Sequence, residues 1–252
     1  MKISFLIVGV QKAGTTALDA FLRQHPSIAM PRVKEVHFFD DETVNWAAPD
    51  YSRLHSFYKT AESKVLGEVT PVYSYWKSSP TRIRAYNSGM KLVLCLRDPV
   101  DRAYSHWAMQ ASRGFERLKF GAAIRHGRQR VGTSDRSKSA AIRRFSYVER
   151  GFYALQIDRL LVNFPREQLM VFDNAALKQN QPAVLDAICD FIGVPRFETY
   201  PQNKIILPTG KRHDLGSISE EDTRYLAQLY AEDTRATADL TGLDLSHWKS
   251  WT

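Results

Sequence analysis

The stretch Phe5-Leu6-Ile7-Val8-Gly9-Val10-Gln11-Lys12-Ala13-Gly14-Thr15-Thr16 decides how the rest of the chain is read. Phe5 to Val10 is an apolar run without alternation, the pattern of a central parallel strand covered on both faces. Thr15 to Gln24 then reads as a helix, with Ala17, Leu18, Phe21 and Leu22 on one face and Asp19, Arg23 and Gln24 on the other. Strand, short loop and helix start together make a phosphate site. The first N–H groups of a helix have no intrahelical acceptor, and the helix dipole favours an anion beside them. Gly14 lets the backbone approach closely, Lys12 adds a cation, and Thr15 and Thr16 add hydroxyl donors. An ATP-binding P-loop places its lysine directly after the second glycine. Here Thr15 follows Gly14 and Lys12 lies inside the loop, which speaks against an ATPase or kinase.

Outward from this corner, Leu66 to Val69, Lys91 to Leu96 and Leu169 to Phe172 read as further buried strands. Ser27 to Phe39 reads as extended. Helices are predicted from Pro99 to about Ser112, Tyr153 to Phe164, Pro182 to Ile192 and Glu220 to Leu240. Strands alternating with helices predict an α/β fold, one domain over residues 1–252 with a mostly parallel central sheet flanked by helices.

A second corner follows the strand Lys91 to Leu96. In Arg97-Asp98-Pro99-Val100-Asp101-Arg102-Ala103-Tyr104-Ser105, Asp98 suits the helix cap and Pro99 the first helical position. Arg97 stands at the C-terminal edge of a strand, where open α/β sheets collect ligands and a guanidinium grips a phosphate through two bonds. Ser105 lies about 9 Å further along the helix axis than Pro99. A structural ion pair from Arg97 to Asp98 or Asp101 is the competing reading.

The net charge of +8 is concentrated. Arg113 to Arg150 carries eleven basic and three acidic residues, and the rest of the chain balances. This segment reads either as a docking region for an anion or as a solvated arm, and residues 113–146 as a basic, mobile insertion. Cys95 and Cys189 read as reduced packing residues, which predicts a cytoplasmic protein. Ile3 to Val10 is too short to cross a bilayer and is read as a strand, not a signal peptide, so no membrane association is expected.

The two corners together resemble the PAPS-dependent sulfotransferases (PAPS is 3′-phosphoadenosine 5′-phosphosulfate). The stretch Lys34-Glu35-Val36-His37-Phe38-Phe39-Asp40 is similar to the heparan sulfate (glycosaminoglycan) branch. The resemblance implies a single α/β domain related to P-loop nucleotide kinases. It implies that Gln11, Lys12, Ala13, Gly14, Thr15 and Thr16 hold the 5′-phosphosulfate and that Arg97 and Ser105 hold the 3′-phosphate. It also suggests Tyr153 near the cofactor, and a late basic loop with Lys211 and Arg212 over the 3′-phosphate. The product would be adenosine 3′,5′-bisphosphate.

If residues 34–39 are extended, Glu35 and His37 share one face. An acceptor hydroxyl must lose its proton as it attacks sulfur. The resemblance makes Glu35 that general base, with His37 orienting the acceptor or sharing the proton. Lys12 would stabilise charge growing on the leaving phosphate. No metal spacing is present, and none is expected. One departure is that glycan relatives often carry a lysine where this chain has Val69, so a second catalytic cation is missing or comes from elsewhere. The expected acceptor is a hydroxyl or amine of a glycan or a small metabolite, and the oligomeric state is left open. The rivals are a P-loop ATP-dependent phosphotransferase, opposed by the placement of Lys12 and by the Arg97/Ser105 pair, and a non-catalytic nucleic-acid-binding module, suggested by the basic segment.

Overall fold

Five strands form one sheet: β1 (Phe5–Gly9), β2 (Ile28–Ala29), β3 (Val65–Val69), β4 (Lys91–Leu96) and β5 (Leu169–Asp173). Their order is β2-β3-β1-β4-β5 and every pairing is parallel. The computed structural model describes residues 2–59, 64–132, 140–202 and 216–252. They fall into two units, one drawn from Met1–Leu96 and Asp158–Ile206, the other from Arg97–Ile157 and Leu207–Thr252.

The first unit holds the sheet. All five residues of β1 are buried, and in β4 only Lys91 is half-buried. That is why both strands read as unbroken apolar runs: a parallel sheet is covered on both faces, so no position needs to be polar. The pairing β1–β3 runs Phe5↔Gly67, Leu6↔Glu68, Ile7↔Val69. A Cβ at Gly67 would run into the Phe5 ring, so the buried Phe5 ring occupies the space a side chain would need. The register of β1 against β4 shifts between Ile7 and Gly9, directly before the phosphate corner.

The second unit is helical. Asp98 caps the helix Pro99–Ser112, accepting from the N–H of Val100 at 2.8 Å, with Pro99 in its first turn. Trp107, Phe120, Ile124, Tyr147, Leu226 and Tyr230 form its core. The long helix Glu220–Thr241 is capped by Ser219 and ends at Gly242, whose φ of 71° is left-handed. In the basic segment, the described residues form the short helices Phe120–Ile124, Gln129–Gly132 and Ala140–Phe145. Several of its arginines meet internal carboxylates: Arg125 with Asp222, Arg128 with Glu149 at 2.9 Å, and Arg130 with Glu116 at 2.7 Å.

The predicted β4 and Pro99–Ser112 helix are found at the expected residues. The extended reading of Ser27 to Phe39 is corrected, because only Ile28–Ala29 joins the sheet. Beyond it, Glu35 and His37 have φ of 63° and 57°, outside any strand. Phe38 and Phe39 are buried against Trp46 and Tyr73, so side-chain burial shapes this segment, not a backbone ladder. Among the described residues, no helix is long and apolar enough to cross a membrane.

Gly67→Ala is expected to destabilise the fold by about 1–3 kcal/mol, because the methyl group must displace the packed Phe5 ring. Urea unfolding checks this: the midpoint falls while the slope with denaturant is retained.

Candidate active site

The proposed phosphate corner lies between β1 and the helix Thr15–Leu22. Lys12 and Gly14 have φ of 78° and 98°. The left-handed conformation at Gly14 explains the glycine, since other residues pay a steric cost there. Ala13 and Thr15 are buried, Gln11, Lys12 and Gly14 half-buried, and Thr16 exposed. Gly14 caps the helix without a side chain. Among the described residues, the backbone N–H groups of Gly14, Thr15 and Thr16 have no protein acceptor. A loop with open donors, a lysine and a close-approach glycine fits a phosphate or sulfate ester.

The proposed base sits one strand away. β3 is hydrogen-bonded beside β1, and the N–H of Glu35 donates to the Val69 carbonyl at 3.0 Å. The Glu35 carboxylate meets His37 Nε2 at 3.5 Å, and His37 Nδ1 meets Asp40 at 3.0 Å. The expected juxtaposition of Glu35 and His37 is present, but its cause is corrected. Two left-handed residues and a buried Asp40 bring them together, not strand alternation. Asp40, missed in the sequence reading, is fully buried and anchors the imidazole. The cation beside the base comes from Lys34, whose ammonium pairs with Glu35. Val69, where the resemblance led one to expect a lysine, is a buried strand residue.

Burial alone would raise the Glu35 carboxyl. The hydrogen bond from His37 and the Lys34 ammonium outweigh it and hold the group down at about 2. For His37, burial favours the neutral ring, but Asp40 and Glu35 raise it to about 9. The cluster at neutral pH is therefore a carboxylate against an imidazolium.

Beneath it lies Glu68, buried completely in β3. Thr70 Oγ1 and the Tyr73 hydroxyl donate to its Oε1 at 2.6 and 2.9 Å. Tyr73 in turn accepts the N–H groups of Phe38 and Phe39 at 3.1 and 3.4 Å. Glu68 thus ties the strand to the segment that carries the base. Burial is the main reason its carboxyl rises to about 7, with the hydroxyl donors opposing.

In the second unit, Arg97 is half-buried and Ser105 is buried on the helix Pro99–Ser112. Asp98 accepts the N–H of Lys249 and Asp101 pairs with the Lys249 ammonium, so both carboxylates serve Lys249. Tyr153 is 1% exposed and its hydroxyl donates to the Arg97 carbonyl at 2.7 Å. It holds the backbone beneath Arg97. Lys211 and Arg212 lie outside the described residues.

The model of the Sulfotransferase domain matches residues 2–207. The chain belongs to the sulfotransferase family. This sulfotransferase is 30% identical over 268 residues to heparan sulfate glucosamine 3-O-sulfotransferase 3A1 of Mus musculus, an alignment covering 95% of this chain and 63% of that protein. It is also 30% identical to the bifunctional heparan sulfate N-deacetylase/N-sulfotransferase 4 of Mus musculus, over 79% of this chain and 23% of that one. Among solved structures, a sulfotransferase from Alicyclobacillus acidocaldarius superposes with a TM-score of 0.83 and 25% identity, covering 99% of both chains. The α/β fold with a parallel sheet, akin to the P-loop proteins, is that of the family. The cytoplasmic expectation is overturned, because the heparan sulfate sulfotransferases it resembles are Golgi enzymes. Cys95 and Cys189 are free and buried, which reflects how they pack and carries no information about compartment.

Glu68 makes stability depend on pH in a definite direction. Its folded pKa lies above its unfolded value, so the native state binds more protons between the two. Stability falls as pH rises from about 4.5 through about 7, a loss on the order of 3 kcal/mol. Glu68→Gln removes this loss. The melting temperature of the variant relative to wild type should be higher at pH 8 than at pH 4.5, read by circular dichroism.

Proposed function

We propose that this sulfotransferase moves the sulfuryl group of PAPS to a hydroxyl or amine of a glycan or small-molecule acceptor. One observation carries the reading. The loop of Lys12 and the segment of Glu35 hang on the C-terminal ends of two hydrogen-bonded parallel strands, β1 and β3. Such strands lie about 4.8 Å apart, and the C-terminal edge is where open α/β sheets take their ligands.

PAPS, when bound, supplies the sulfuryl group and departs as adenosine 3′,5′-bisphosphate. Gln11 to Thr16 would cradle its 5′-phosphosulfate through backbone N–H groups and the two threonine hydroxyls. The Lys12 ammonium stabilises the negative charge that grows on the leaving phosphate side, more in the transition state than before it. Arg97 and Ser105 would take the 3′-phosphate, with Tyr153 supporting the Arg97 backbone. Glu35 accepts the acceptor's proton on a carboxylate oxygen. His37, fixed by Asp40, orients that carboxylate and keeps it ionised. A glycan acceptor is supported by the heparan sulfate relatives, which include both O- and N-sulfotransferases. An ATP-dependent phosphotransferase and a nucleic-acid-binding module are not favoured.

Glu35→Gln should lower turnover with labelled PAPS by at least about 100-fold while binding adenosine 3′,5′-bisphosphate like wild type. Wild-type turnover in this variant would remove Glu35 as the base. The bisphosphate should raise the melting temperature and ATP with Mg²⁺ should not; the reverse pattern would point to a phosphotransferase.

Lys34→Met removes one of the groups that depress Glu35. The acid limb of kcat/KM against pH should therefore move upward, towards the ordinary carboxylate range. The wild-type alkaline limb should fall near pH 9, where His37 loses its proton.

A further inference from the structure

We propose that Asn174 is a positioning residue for the phosphate loop, pinning the Ala13 carbonyl so that the next peptide N–H, that of Gly14, faces the anion. The inference rests on the reading of the loop as the 5′-phosphosulfate site. Asn174 directly follows β5 and opens the helix Asn174–Gln179. It is 6% exposed, and its Nδ2 donates to the Ala13 carbonyl at 2.6 Å. A carbonyl only accepts, so the amide group facing it must be the NH₂, whichever way the side chain is drawn. The Cys95 thiol donates to the same oxygen at 3.1 Å.

Two buried donors thus converge on one loop carbonyl. In a trans peptide the C=O and the following N–H point to opposite sides of the bond. Holding the Ala13 oxygen inward against β4 and β5 therefore directs the Gly14 N–H outward. It also keeps a partial negative charge away from the bound phosphate. Glycine is required at position 14 for a second reason. A Cβ there would lie 2.8 Å from Asn174 Nδ2, so a side chain would force off the amide that fixes the loop.

The test separates a positioning role from simple packing. Wild type, Asn174→Ala and Asn174→Asp are titrated calorimetrically with adenosine 3′,5′-bisphosphate and with adenosine 3′-monophosphate, which lacks the 5′-phosphate. Asn174→Ala should weaken the bisphosphate about tenfold. Asn174→Asp, equal in shape to asparagine but opposing a carboxylate to the Ala13 oxygen, should weaken it more. Affinity for the 3′-monophosphate should be unchanged in both. In ¹⁵N-labelled protein, the Gly14 amide proton should move downfield when the bisphosphate is added to wild type, and move less in Asn174→Ala. Equal losses on both nucleotides, wild-type affinity in Asn174→Asp, or a Gly14 response that ignores the substitution would overturn the proposal. Failure of wild type to bind the bisphosphate at all would instead remove the functional reading, and this inference with it.

Discussion

The ladder between β1 and β3, from Phe5↔Gly67 to Ile7↔Val69, is the contact on which the proposed chemistry depends. Because the strands are parallel, their following segments leave the sheet at the same edge. One carries Lys12 and the open N–H groups. Beside the other, the Val69 carbonyl receives Glu35. An antiparallel pair would send those segments to opposite edges. The tight fit of Phe5 over Gly67 helps hold that register.

Two glutamates show how surroundings divide one chemistry into two roles. Burial pushes both carboxyls up. Around Glu35 the neighbours are cationic, and they override burial to leave a carboxylate. Around Glu68 they are neutral hydroxyls, which oppose burial without overcoming it. Glu35 is thereby held as a half-buried carboxylate, the state its proposed role requires, whereas Glu68 holds the Tyr73 hydroxyl under the backbone of Phe38 and Phe39. The same electrostatic rule, partner charge weighed against desolvation, separates the proposed base from its support.

The proposed phosphate loop is likewise held from below. Ala13 is gripped by side chains from the ends of β4 and β5, so its conformation is set before any ligand arrives. Donors arranged in advance need little reorganisation when charge shifts during reaction, which is the condition for effective stabilisation of a leaving phosphate.

The sequence by itself determined the strand-loop-helix corner at Phe5 to Thr16, strand β4 and the cap at Asp98, and it singled out Glu35 as the residue to test. Each rests on near neighbours in the chain: an apolar run, a glycine in a turn, a capping carboxylate, a short motif. Tertiary structure alone decided the rest. The left-handed backbone at Glu35 and His37, the anchoring of His37 by Asp40, the bond from Tyr73 to Glu68 and the grip of Asn174 on Ala13 have no local signal. Asn174 lies 161 residues from its partner, and nothing in Asp173-Asn174-Ala175 announces that contact. Periodicity reports which face of an element is buried; which polar atom meets which across the core is settled only when the elements pack, because a buried donor or acceptor must find whatever partner the fold has placed beside it.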